Sequence, residues 1–275
     1  MPKRMVSSKR EYGFSGAGVA VCALICVMVC QIVYGQGQKP VAAQPAPTPQ
    51  TTPWGYDGRI GPDRWARLDP AWRVCDTGKQ QSPIDIHGAR LNPNLPPIQF
   101  HYLSGSMTLA NNGHTVQVSA PRGSYILVGG VRYNLIQFHF HHPGEEAVHG
   151  GLPDMSLHLV HQSADGKIVV VAVRLNEGDA NAVLAGLWEH LPKTPGTSAT
   201  LSDLLSPAGL LPADRGYWTY MGSLTAPPCT EGVQWFVMEN SVTLSRDQLQ
   251  AFAALYKRNS RPIQEAHGRH IQANE

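Results

Sequence analysis

Residues 137–141 read Gln-Phe-His-Phe-His, and this stretch limits what the chain can fold into more than any other. Side chains on a β-strand alternate between its faces, so His139 and His141 point one way while Phe138 and Phe140 point the other. The two phenylalanines need a core on their side. A second alternating segment, Met155-Ser156-Leu157-His158-Leu159-Val160, sets His158 on the side opposite Leu157 and Leu159. If the two strands are neighbours, three imidazoles converge on one point. Single histidines in strands are ordinary surface or core residues. A His-x-His facing a third histidine points instead to metal ligation. Three neutral nitrogen ligands leave the fourth tetrahedral position of a zinc ion open to water, as in catalytic rather than structural sites.

At 275 residues the chain has room for one large domain or two small ones. A formal charge of +2, with no basic stripe after residue 39, excludes an electrostatic nucleic-acid footprint. Lys3, Arg4, Lys9 and Arg10 precede an apolar run from Ala17 to Val33, the layout of a secretory signal. The run is also long enough to be marginal for a membrane span. Residues 1–35 are therefore read as a signal peptide or an N-terminal membrane anchor (apolar part 13–34). The protein is expected to be exported, periplasmic or secreted, with cleavage favoured over anchoring. Cys22, Cys26 and Cys30 share one helical face there, and no good lipobox precedes them. Residues 36–53 are rich in Pro, Ala and Gln and read as an extended linker. The folded domain is expected over 54–275.

From there the chain reads as mostly β (α+β), a single domain with short peripheral helices. Asn111-Asn112-Gly113 between alternating runs is a hairpin signal, as is Asp165-Gly166. Strands are expected at Tyr125 to Val128, Val131 to His141, Met155 to His161, Ile168 to Leu175, Tyr217 to Met221 and Val233 to Met238. Helical periodicity is confined to two places. Leu184, Leu187, Trp188 and Leu191 form one apolar stripe, and Leu249, Phe252, Leu255 and Tyr256 another. Ser245 and Gln248 supply a capping box for the second.

Several further motifs stand in order along the domain: Trp54-Gly55-Tyr56, Gln81-Ser82-Pro83-Ile84-Asp85-Ile86, Asn112-Gly113-His114, the Gln137–His141 stretch, Leu157–His161, Ser223-Leu224-Thr225-Ala226-Pro227-Pro228, and Asn259-Ser260-Arg261-Pro262. Together they resemble the α-class carbonic anhydrases, the bacterial exported members in particular, over nearly all of 54–275. The resemblance implies a large, twisted, mostly antiparallel central sheet and Zn2+ as cofactor. It implies reversible hydration of carbon dioxide to bicarbonate and a proton, by attack of a zinc-bound hydroxide. His139, His141 and His158 match the zinc ligands. His114 matches the proton shuttle, a task that suits an imidazole titrating near neutrality. Thr225, with Glu145 behind it, matches the residue that accepts a hydrogen bond from the nucleophile. A hydroxyl whose proton is committed to a carboxylate can only accept. The register His141-x-Pro-x-Glu selects Glu145 and leaves Glu146 as a charge on the rim.

The same resemblance makes Val160, Val170, Leu224 and Trp235 an apolar wall for carbon dioxide, and makes Tyr56, Asn112 and Gln117 holders of a water chain. Gln137 and Asn259 match residues that support the ligands from behind. The family usually carries a glutamate two residues before its third histidine, and here that position is Ser156. A shorter, uncharged partner predicts a less basic, less firmly held His158 and faster zinc exchange. Cys75 and Cys229 match a disulfide of bacterial and extracellular members, which suits two isolated cysteines in an exported protein. Two buried free thiols are the alternative. The other histidines, His161 among them, need no metal role. Many bacterial members are dimers, so a homodimer stays open, with no interface visible in the residues. Two competing readings, a binding module on the same scaffold and a zinc esterase, fit less well. The first would usually lack a zinc histidine, and the second has no dedicated ester site.

Overall fold

The computed structural model describes residues 52–202 and 205–274. The expected leader and most of the linker lie outside the described residues. Among the described residues no helix is long and apolar enough to cross a membrane. One large sheet dominates, running in spatial order through Ser198–Leu201, Met107–Asn111, Val116–Ser119, Val131–His141, Met155–Ser163, Ile168–Glu177, Glu231–Met238 and Tyr217–Ser223, then Gln272–Ala273 and Arg90–Leu91. Neighbours are mostly antiparallel. The exceptions include the pairing of Ile168–Glu177 with Glu231–Met238 beside the centre, so the sheet is mixed.

The central strands follow the alternation of the sequence and run slightly past it, Met155–Ser163 and Tyr217–Ser223 for example. The register sets His139 directly opposite His158, with Phe138 against Leu159 and Phe140 against Leu157. Those four apolar residues are fully buried in the larger core, which also takes in Leu184, Leu187 and Phe252 of the two peripheral helices. Removing either phenylalanine side chain would cost about 3–5 kcal/mol. On the opposite face a smaller cluster holds Val170, Trp235 and Tyr220, with Val160 and Leu224 packed against it. One strand pair thus separates a dry core from the site.

Both expected hairpins form. Gly113 and Gly166 take the left-handed backbone their turns need, and the Asn112 side chain accepts from the backbone N–H groups of His114 and Thr115 at 2.9 Å each. The capping box at Ser245 and Gln248 is present at the start of the helix Arg246–Ala253. Both helices are shorter than their apolar stripes. Ala182–Trp188 stops before Leu191, since Pro192 follows and disfavours helical backbone in the residue preceding it. Leu255 and Tyr256 lie beyond Ala253, and the Tyr256 hydroxyl donates to Asn111 Oδ1 at 2.5 Å. Single helical turns between Gly58 and Thr77, and the short strands Gln99–His101 and Ser198–Leu201, were not expected. Each is too short to show a period.

Cys75 and Cys229 are bonded to each other across a sequence separation of 154, in a small core with Trp65 and Trp72. In the chain-entropy account, a link closing so long a loop stabilises by up to about 5 kcal/mol. Replacing both cysteines by serine should therefore lower the urea midpoint markedly under non-reducing conditions. An unchanged midpoint would show that the bond contributes nothing to stability.

Candidate metal centre

The three histidine rings sit with centroids 5.0 Å apart for His139 and His141, 5.4 Å for His139 and His158, and 4.6 Å for His141 and His158. Each ring is held from behind by an oxygen. His139 Nδ1 donates to Gln137 Oε1 at 2.9 Å, His141 Nδ1 to the backbone carbonyl of Asn259 at 2.7 Å, and His158 Nε2 to Glu146 Oε1 at 2.5 Å. These acceptors place the proton of each neutral ring on the bonded nitrogen. The lone pairs are then on His139 Nε2, His141 Nε2 and His158 Nδ1. His141 Nε2 is buried and has no hydrogen-bond partner. The ligand atoms of the three residues lie within 4.8 Å of one another. Burial pushes His139 well below its ordinary pKa and His141 down to about 3, which keeps both rings neutral. Three ring nitrogens turned toward one point, one of them orphaned in the interior, fit a zinc-type cation with an open position.

Behind the histidines lie two adjacent, fully buried glutamates. Glu145 Oε1 accepts from the backbone N–H of Arg261 at 2.7 Å. Burial pushes its carboxyl up to about 7 against the downward pull of His158. Thr225 is buried close enough to pull Glu145 downward as well, but no hydrogen bond of ordinary length closes onto Glu145 Oε2.

Glu146 is not the rim charge expected from the sequence. It is wholly inside, and it accepts from both His158 and the Ser156 hydroxyl. Burial alone would raise its carboxyl, but the His158 ring and these hydrogen bonds hold it below its ordinary value. Burial would likewise lower His158, yet Glu146 carries it above its ordinary value. The expectation that Ser156 leaves His158 without a carboxylate is thereby corrected. The missing glutamate of one strand is answered by a glutamate from the loop after the other. The clue in the sequence was the doubled acid, Glu145-Glu146, standing with a serine at 156. Glu145, Glu146 and His158 also lie close enough to form a second acidic cluster, which the hydrogen bonds already described account for.

The histidines form the floor of a pocket whose walls include Val160, Val170, Leu224 and Trp235 on one side, with Tyr56, Asn112, Gln117 and Thr225 elsewhere around it. Asn259 lies behind the floor. Its side chain accepts from the His142 N–H at 2.7 Å and donates to the carbonyls of Phe140 and His114 at 2.9 and 3.0 Å. His161, on the other face, is buried against the Tyr102 hydroxyl at 2.8 Å and takes no part. His114 lines the pocket mouth and stacks flat on Trp54, with ring centroids 3.7 Å apart. That stacking was not foreseen, because Trp54 served only to mark where the domain opens.

An open three-histidine centre under a half-apolar pocket, carried on the middle of a large sheet, defines a single-metal enzyme of the water-activating class. The model of the eukaryotic-type carbonic anhydrase family matches residues 60–275. The chain belongs to that family, the α-carbonic anhydrases, which are metalloenzymes. The carbonic anhydrase of Pectobacterium carotovorum is 39% identical over 219 residues, spanning 79% of this chain and 89% of that protein. That of Klebsiella pneumoniae is 40% identical over 219 residues, spanning 78% and 89%. The α-carbonic anhydrase of Thermovibrio ammonificans, solved with the inhibitor sulfanilamide, matches with a TM-score of 0.78 at 39% identity. The match covers 81% of this chain and 100% of that one.

Burial lowers the pKa of His114. If the indole supplies that burial, Trp54→Ala should raise the pKa toward the ordinary histidine value, as followed by the ring-proton shift in an NMR titration. An unmoved titration would place the cause elsewhere.

Proposed function

We propose that the protein hydrates carbon dioxide reversibly to bicarbonate and a proton, using zinc held by His139 Nε2, His141 Nε2 and His158 Nδ1. The observation that carries this reading is the convergence of those three ring nitrogens beneath an apolar wall. Zinc at such a centre supplies a Lewis acid that makes water nucleophilic at neutral pH. The chain's own residues do the rest. Val160, Val170, Leu224 and Trp235 offer an uncharged molecule a place to rest without competing hydrogen bonds. Thr225, its proton directed toward the unsatisfied Oε2 of Glu145, accepts a hydrogen bond from the attacking water and aims its lone pair at the substrate carbon.

One proton must leave per turnover. His114, at the pocket mouth, takes it on its imidazole and passes it to solvent, with Tyr56, Asn112 and Gln117 holding water in between. The flat stack on Trp54 supports a ring that is held in place at the boundary between pocket and solvent. Export is supported by the Cys75–Cys229 bond, since such bonds persist in oxidising compartments.

Stopped-flow carbon dioxide hydration tests this. Activity should disappear on chelation and return with zinc, and a folded, zinc-loaded protein without activity would overturn the proposal. His114→Ala should slow turnover by about 10²-fold in weak buffer. Added imidazole should restore part of the loss. Full activity in that variant without added base would remove His114 from the proton path.

A further inference from the structure

Two oddities meet beside His158: a serine where the family resemblance calls for a glutamate, and a fully buried glutamate with no part in the mechanism above. We infer that Glu146 is the positioning residue of the third metal ligand, and that its carboxylate reaches His158 from the loop after the Val131–His141 strand, with Ser156 as its holder. This rests on the metal-dependent reading.

The geometry gives each side-chain oxygen of Glu146 and Ser156 a partner. Ser156 and His158 share one face of a strand, two residues apart, and Ser156 pairs directly with His141. A long acid at 156 would therefore reach His158 along its own strand. Serine is too short to do so. Its hydroxyl instead accepts the backbone N–H of Glu145 at 2.9 Å and donates to Glu146 Oε2. The other carboxylate oxygen, Oε1, takes the Nε2 proton of His158 at 2.5 Å. The ring is fixed with Nδ1 toward His139 and His141.

The loop can come this close because residue 144 is glycine. A Cβ there would lie 2.4 Å from Pro153 Cγ and 2.8 Å from Ser156 Oγ. Arg174 pairs with Ser156 from the next strand, and its charge interacts favourably with Glu146. Oriented partners behind a ligating histidine typically change metal affinity or activity by about 10- to 100-fold.

The test is the rate at which zinc passes from the holoprotein to an excess of chelator, read together with the melting temperature of the metal-free protein. Glu146→Gln keeps the shape and loses the charge, and should release zinc about 10- to 100-fold faster than the wild type. Ser156→Glu alone should bring no slowing, because it crowds a second acid against Glu146. Glu146→Ala with Ser156→Glu moves the carboxylate to the strand and should return release toward the wild-type rate, above that of Glu146→Ala alone in zinc retention. A folded, zinc-bound Glu146→Gln with the wild-type release rate would overturn the inference, as would slower release from Ser156→Glu alone. A lower melting temperature with unchanged release would mark Glu146 as structural only and overturn it too. If the relocated pair does not fold, the isosteric Glu146→Gln decides by itself. A wild-type protein that takes up no zinc would overturn the metal reading as well, which separates the two failures.

Discussion

Three imidazoles that converge edge-on and tilted, His141 and His158 fully buried and His139 partly so, are the constraint on which the rest of this structure depends. A neutral ring carries one N–H and one lone pair, and in the interior neither can be left to water. The lone pairs find a common centre. Each N–H needs an acceptor of its own, and the acceptors come from three separate places in the chain. Gln137 precedes His139 on the same strand and face, Glu146 comes from the loop beyond His141, and the carbonyl of Asn259 arrives from 118 residues downstream of His141. Holding three rings therefore requires strand pairing, a returning loop and a C-terminal segment that reaches His141.

A second set of contacts ties Glu145 and Thr225 to the start of the domain. The Arg261 guanidinium donates to Gln81 Oε1, the Ser82 carbonyl and the Cys75 carbonyl at 2.8–2.9 Å, while its backbone N–H holds Glu145. Gln81 in turn donates to the Cys229 carbonyl at 3.1 Å, and the Ser82 N–H donates to Ser223 Oγ at 2.9 Å, two residues before Thr225. The disulfide joins the same two regions covalently. The carboxylate that would direct the Thr225 proton and the loop that carries Thr225 are thus braced by one buried network. The site and the stability of the domain share residues here.

Much of the centre was legible in the sequence because β alternation is a strong code. Phe138, Phe140, Leu157 and Leu159 pull one face into the core, and that alone turns His139, His141 and His158 to the other. The hairpin turns and the capping box were legible for a similar reason, since their chemistry is local. What the alternation could not convey was the parallel pairing beside the centre, set by contacts between distant strands, and the single-turn helices before Thr77. The burial of Glu146 was hidden for another reason. A loop acid after a strand has no periodicity to reveal its direction, so composition favours placing it in water, and only the path of the loop past Gly144 turns it inward.

Glu145 and Glu146 show why neighbouring positions can play opposite parts. The two side chains leave the loop in different directions, so one carboxylate meets Arg261 and the Thr225 side while the next meets His158 and Ser156. Their proton affinities diverge accordingly, with Glu145 pushed up by burial and Glu146 held down by its partners. What His158 needs is an acceptor of the right charge at Nε2, and nothing in that need specifies which strand or loop delivers it. A serine at 156 is a defect only if the ring depends on its own strand. Once a neighbouring loop presents a carboxylate, the short hydroxyl becomes the better residue at that position, because it leaves room for the carboxylate and binds its second oxygen.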